Sequence, residues 1–192
     1  MSYSQSLEVL ARLHVDPRFR RAWSQDASAA LTAYALTPRE REALGRVDAT
    51  MVDRAGRMMD YHRGARVTEQ LPWVDVSKRP ELGPRLHRFM AEVLPELLNR
   101  EEAITFCRDL EARPDGLPAY GAELARCERL RLGLAWGLEP MTGGARVESF
   151  TYPVLEILAA LAARPGWPEV TPRPTRVEYL KVPGLPAVWV RG

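Results

Sequence analysis

A change of period divides this chain. Up to about residue 140 the apolar residues recur every three or four positions, the spacing that gives a helix one buried face. After Met141-Thr142-Gly143-Gly144, short β-favouring runs appear instead, broken by prolines and glycines. A chain written this way is expected to be mainly α with an α+β end: an N-terminal helical block followed by a small strand-helix-hairpin module. Its 192 residues are enough for one well-cored domain or two small ones. The reading divides it into a helical domain over 1–70, a linking helical region over 71–140 and the C-terminal module over 141–192.

Local signals mark the helices. Leu7, Leu10 and Leu13 recur at helical spacing. Asp16-Pro17 restarts the chain, Asp as N-cap and Pro at the first helical position, with Phe19 and Trp23 four apart on one face. Asp26 caps a third helix carrying Ala30, Leu31 and Tyr34. Thr37-Pro38-Arg39-Glu40 is a capping box, and Leu44, Val47, Met51, Ala55, Met58 and His62 keep the period to about Arg63-Gly64, predicting one long helix with a core-facing methionine stripe. Residues 71–84, with three prolines and a glycine, read as a connector. A helix from near Pro84 carries Leu86, Phe89, Met90, Val93 and Leu97. Another opens with an Asn99/Glu102 capping box and turns Ile104, Cys107 and Leu110 inward. Arg113-Pro114-Asp115-Gly116 is turn chemistry, after which Leu117, Tyr120, Leu124, Cys127, Leu130 and Leu134 describe a further amphipathic helix.

In the last segment, Ala145–Phe150 reads as a strand and Pro153 leads the apolar helix VLEILAALAA. RVEYLKV and AVWV, joined by Pro183-Gly184-Leu185-Pro186, form a hairpin. Strand, helix and hairpin in this order resemble a reduced winged-helix layout.

Little of this carries catalysis. His14, His62 and His87 are scattered and no His-x-x-x-His or Cys-x-x-Cys occurs, so no metal site is expected. Cys107 and Cys127 sit on apolar faces without a neighbouring base, where a cysteine packs as a small hydrophobe. Two cysteines also exclude a disulfide framework and fit a reducing cytoplasm. Glycine-rich phosphate loops and a Gly-x-Ser-x-Gly elbow are missing, and adjacent Glu101-Glu102 diverge on a helix. No catalytic residue is assigned. The N-terminus lacks the basic start and apolar core of a signal peptide. No run of 18 apolar residues occurs, so no membrane partner is expected.

Nucleic acid is a fairer test, because Arg54, Arg57, Arg63 and Arg66 suggest one positive strip and Arg18, Arg20 and Arg21 another. Charge nevertheless balances by segment. Residues 1–70 carry 11 basic against 9 acidic side chains, 71–140 carry 10 against 12, and 141–192 carry 6 against 4. The last helix holds one glutamate and no base, whereas a reading helix needs polar and basic side chains. Nucleic acid is therefore not expected as a partner. The alternative function for such a module is strand addition of an extended peptide at an open hairpin edge. Val154, Leu155 and Leu158 of the last helix, with Val177, Tyr179, Val188, Trp189 and Val190 of the hairpin, are the candidate peptide-binding residues.

Several segments carry a resemblance. Asp16-Pro17-Arg18-Phe19-Arg20, then Ala29-Ala30-Leu31-x-x-Tyr34-x-Leu36-Thr37-x-x-Glu40, resembles a small helical domain of the helical subunit of some ring-cleaving dioxygenases, which also recurs at the front of several peptide-modification proteins. Leu117-Pro118-Ala119-Tyr120 with Glu123-Leu124-Ala125-Arg126-x-Glu128-Arg129 is similar to a helix in partner proteins of multinuclear non-haem iron oxidases, including the partner used in methanobactin biosynthesis. Tyr152-Pro153-Val154 and the terminal hairpin match their C-terminal half. Glu123 stands where that family is expected to carry aspartate. The resemblance implies a subunit without cofactor or catalytic metal of its own, iron being held by the partner enzyme. It implies a heterodimer with that oxidase, and a C-terminal module that holds the leader of a ribosomally made precursor peptide. The rival readings are a DNA-binding regulator using the same module, and a dioxygenase helical subunit, which matches the first 65 residues alone.

Overall fold

The structure, a computed structural model, describes residues 3–95 and 99–192. It is mainly helical, with a small three-stranded antiparallel sheet. The chain divides into two compact units, Met1–Ala65 with Arg85–Glu96, and Arg66–Pro84 with Leu97–Gly192. Residues 71–140 thus contribute to both.

The first unit begins with α1 (Tyr3–Val15) and α2 (Pro17–Gln25). Asp16 caps α2, its Oδ1 accepting from the N–H groups of Arg18 and Phe19 at 3.0 Å each, and Pro17 occupies the first turn. Asp26 caps α3 (Ala27–Ala30), which lasts a single turn. Leu31 and Tyr34 lie beyond its end but are buried as expected, in one core with Val9, Leu13, Phe19, Trp23, Leu44 and Val52. On α1 the buried pair is Val9 and Leu13, while Leu7 and Leu10 are exposed. Equal hydropathy at neighbouring positions leaves the direction of a short helix to its packing partners.

The capping box is present at the start of α4 (Pro38–Gly45), but the long helix expected after it is two. The chain breaks just after Gly45, at Arg46–Asp48, and α5 runs Ala49–Gln70. Glycine is a poor helix residue. Asp48 then accepts from the Thr50 N–H at 2.8 Å, offering the backbone a local alternative to the helix ladder. The buried face of α5 also differs from the expected one. Val52, Gly56, Arg63 and Val67 face inward, while Met51, Met58 and His62 are exposed. Gly56 is a notch: a Cβ there would lie 2.2 Å from the Arg20 Nε, so only glycine lets that guanidinium lie against the helix.

A short 3₁₀ turn, Pro72–Val74, leads to α6 (Leu82–Glu92), which buries Leu82, Phe89 and Met90. Leu97 and the side chain of Asn99, expected as core and cap, lie outside the described residues. In the second unit α7 (Asn99–Ala112) turns Ile104, Phe106, Cys107 and Leu110 inward against α8 (Gly121–Ala135). The turn between them places Gly116 at φ 72°, in the left-handed region.

The strands follow the expected segments: β1 (Ala145–Phe150), β2 (Thr175–Lys181) and β3 (Val188–Arg191), with α9 (Val154–Ala163) between β1 and β2. The sheet order is β1-β2-β3, antiparallel throughout. Val177 and Tyr179 are buried, and the Tyr179 hydroxyl donates to the Cys127 carbonyl of α8 at 3.2 Å, so this side of the sheet faces α8. Among the described residues no helix is long and apolar enough to cross a membrane.

Candidate functional site

The sheet has two outer strands, and they are not equivalent. Along β1 the far side is partly taken up by α8. Arg126 donates to the Ser149 carbonyl and lies 4.5 Å over the Phe150 ring, while the Glu123 carboxylate accepts from the N–H groups of Thr151 and Tyr152 at 2.9 and 3.1 Å. At β3 the hairpin fixes which backbone groups face outward. The Val182 N–H donates to the Ala187 carbonyl at 3.1 Å, and Leu180 stands opposite Trp189. Antiparallel ladders alternate, so the N–H and C=O of Trp189 and Arg191 face β2. Those of Val188 and Val190 point to the free edge.

Alternation also separates the candidate side chains. Val190 stands opposite Tyr179 and shares its face, whereas Trp189 pairs with Leu180 on the opposite face. The hairpin residues therefore cannot line one groove together. Val154, Val177 and Tyr179 are fully buried and act as framework. Leu155, Leu158, Val188 and Val190 are half-buried, and Trp189 is 69 % exposed. A small cleft of about 120 Å³ lies where Leu155 meets Val177 and Gly192 at the end of β3.

Polar contacts hold α9 in place at both ends. The Glu123 carboxylate fixes the turn before it. Arg79, fully buried, donates to the carbonyls of Leu161 at 2.6 Å and Arg164 at 3.2 Å at its C-terminal end, and to that of Trp73 at 3.1 Å. Edge-on aromatic contacts run from Trp73 through Trp167 and Tyr120 to Tyr152, at centroid distances of 5.8–6.3 Å. These positioning residues were not singled out from the sequence; a lone arginine in a proline-rich connector carries no periodicity that would mark it. A further cleft of about 380 Å³, between α9 and the extended segment Pro168–Arg173, was likewise not foreseen.

The motif on α8 proves to be structural. Besides Glu123 and Arg126, Arg129 bonds Glu111 at 2.6 Å and Glu139 at 2.5 Å, and Glu128 pairs with Arg131 at 2.8 Å. Both cysteines are buried in unit two. Burial pushes the Cys127 thiol up to about 12 and the Cys107 thiol well above its ordinary value, so neither is a ready nucleophile. Among the described residues no three His, Cys, Asp or Glu side chains converge into a metal-holding group.

Three of the seven arginines of the two expected strips are engaged within the fold, while Arg18, Arg21, Arg54 and Arg66 are exposed. Arg20 is buried on Asp60 at 2.6 Å, Arg57 pairs with Asp53 at 2.8 Å, and Arg63 is buried, donating to the Met90 and Val93 carbonyls at 3.1 and 3.0 Å. An arginine spent on a helix end is withdrawn from any phosphate.

Comparison with protein-family models, curated proteins and solved structures returns no match to this chain.

Proposed function

We propose that this chain is a non-catalytic partner subunit in peptide modification. It binds the leader of a ribosomally made precursor as an added strand on β3 and presents the cysteine-bearing core to a multinuclear non-haem iron oxidase, in a heterodimer. The observation that supports this reading is the free edge of β3. Its outward N–H and C=O groups at Val188 and Val190 are the main-chain contacts a guest strand uses. Leu155 meets the end of β3 at Gly192, Leu158 is half-buried on α9, and Trp189 stands exposed on the other face of the sheet. The winged-helix-like resemblance of the module points the same way, while the α8 motif contributes only the frame that holds β1 and α9.

The test separates an edge from a ladder. Val190→Pro removes an outward donor and leaves β2–β3 pairing in place. Val177 is different: the Lys181 N–H donates to the Gly144 carbonyl at 2.9 Å, so alternation turns Val177 toward β1 and a proline there breaks the sheet itself. With the precursor leader encoded beside this chain as the ligand, Val190→Pro is expected to weaken binding by at least about tenfold, roughly 1.4 kcal/mol. The protein should keep its helical circular dichroism. Unchanged affinity in the folded variant, or in a chain cut after Gly144, overturns strand addition. A neighbouring oxidase that neither co-purifies with the chain nor depends on it overturns the partner role.

A further inference from the structure

We infer that Trp189 selects the guest strand: the leader lies antiparallel to β3 and sets one large apolar side chain, aromatic or β-branched, against the exposed indole on the outer face of the sheet. This rests on the strand-addition reading above and adds to it which leader residue is recognised, and on which face. The outer face is the one turned away from α8. Across it Ala145, Leu180 and Trp189 stand in one row, one residue from each strand. Ala145 and Leu180 are half-buried, and the row ends at the open edge in the exposed Trp189. Trp189 therefore has a cross-strand neighbour on one side and none on the other. Among the described residues no ring and no cation packs on its indole.

A single exposed apolar side chain needs no explanation; what distinguishes Trp189 is its place in the ladder. Its N–H and C=O face β2, so Leu180 and Trp189 form a hydrogen-bonded pair, the kind whose Cα atoms stand about 5.5 Å apart. At the open edge the parity reverses. The outward groups there belong to Val188 and Val190, so an antiparallel guest, the more stable pairing per residue, bonds to those two. It meets Trp189 in a non-hydrogen-bonded pair, where Cα atoms approach to about 4.5 Å and side chains come closest. The guest residue opposite Trp189 is thus the one whose side chain β3 constrains most. Its chemistry follows from the surface it meets. An indole is broad and apolar, and its favoured cross-strand partners are aromatic or β-branched. Charge has no part in the choice, because Arg191, two residues along the same face, is already held by Glu178 at 2.7 Å.

The experiment uses the full chain and a synthetic leader of the precursor encoded beside it. Trp189 is the most exposed of the five tryptophans, so acrylamide quenches it first, and the difference between wild type and Trp189→Phe isolates its signal. Bound leader is expected to reduce that quenching several-fold. Trp189→Ala should weaken the leader about tenfold, with Trp189→Phe recovering most of the loss. The backbone bonds of residue 189 are kept in both, so both should retain wild-type circular dichroism. Alanine replacement along the leader should find one large apolar residue whose loss no longer matters in Trp189→Ala, the coupling of a direct pair. Trp189 left open to acrylamide in the complex, wild-type affinity in Trp189→Ala, or a coupled residue that is lysine or arginine overturns the assignment. Strand addition then rests on Val190→Pro alone. A leader that fails to bind the wild-type chain overturns both. Sedimentation of the chain by itself gives the remaining outcome: a dimer abolished by Val190→Pro assigns the edge of β3 to a second copy and refutes the leader.

Discussion

The two units hold their interiors together by the same means in different proportion. In the second, α8 is enclosed by α7 on one side and by the sheet on another, and Leu124, Cys127, Leu130, Leu132 and Leu134 are all buried. In the first, short helices meet around Phe19, Trp23 and Tyr34, and charged side chains fix their relative positions. Arg20, lodged in the Gly56 notch, ties the His14 carbonyl at 2.8 Å and the Asp60 carboxylate at 2.6 Å, joining α1, α2 and α5. Arg63 satisfies two carbonyls at the end of α6. Burial is non-directional, whereas hydrogen bonds specify an angle and a distance. Both units combine an apolar core with exact contacts, but the first sets its helix positions chiefly through Arg20 and Arg63, whereas the second, besides its contacts at Arg79 and Arg129, encloses a whole helix, α8.

The sharpest way to break this contrast is to remove volume from the second unit. Phe106→Ala empties a fully buried site and should cost about 3–5 kcal/mol, read as a loss of denaturation midpoint. Both cysteines lie in this unit, so their labelling by a thiol reagent under native conditions reports its opening alone. Labelling should be slow in wild type, with thiols held high, and much faster in Phe106→Ala.

Next comes the directional contact. Arg20→Met leaves the Asp60 carboxylate and the His14 carbonyl without their donor, and is expected to cost about 2–3 kcal/mol, less than for a fully buried pair because Asp60 keeps some solvent. Thiol labelling should then change far less than the overall melt. If it accelerates as much as in Phe106→Ala, the units unfold as one and the contrast fails. Gly56→Ala probes the same contact from the other side. Its methyl group displaces the guanidinium, at a cost of about 1–3 kcal/mol, and in an Arg20→Met background the penalty should shrink.

A smaller effect separates charge from capping at Asp16. Burial raises its pKa, but the Arg12 guanidinium at 2.7 Å and the N–H groups of Phe19 and Arg18 outweigh this and hold it below the usual carboxylate value. A depressed carboxylate contributes stability that is full above the unfolded pKa, about 3.9, and is lost as pH falls through the lower folded value. Asp16→Asn keeps a capping oxygen. It should therefore melt lower than wild type at pH 7, with the gap closing below about pH 4. A gap independent of pH would show that the charge contributes nothing. The smallest effect belongs to the exposed Arg46–Glu42 pair at 2.6 Å, where Glu42→Ala should stay within about 0.5 kcal/mol.

This contrast also accounts for what could be read in advance. The strand at Ala145–Phe150, the helix after Pro153 and the hairpin were legible because proline, glycine and β-branched residues act on their own backbone. The Asp16, Asp26 and Thr37 caps were legible for the same reason. The break at Arg46–Asp48 was missed because Leu44, Val47 and Met51 stay in phase across it. The inward face of α5 was missed because hydropathy does not count a buried glycine or an arginine bonded to carbonyls as core. At the candidate site, alternation along β2 buries Val177 and Tyr179 on one face and turns Arg176 and Glu178 to the other. That Trp189 faces away from Val188 and Val190 follows from the same alternation, yet all three had been grouped together.

By itself, then, the sequence determined where many of the elements begin, because caps, turns and side-chain period are properties of neighbouring residues. It also determined that the chain is mainly helical with a terminal hairpin. Only the tertiary structure decided that β1 joins β2 across the whole of α9, leaving β3 as the free edge, and that Arg79 closes the end of α9 from more than 80 residues away. It alone turned the methionine stripe of α5 outward. Such choices depend on which of several similar apolar faces finds a complementary partner. That is a property of shape and of satisfied hydrogen bonds between distant segments, and no local pattern encodes it.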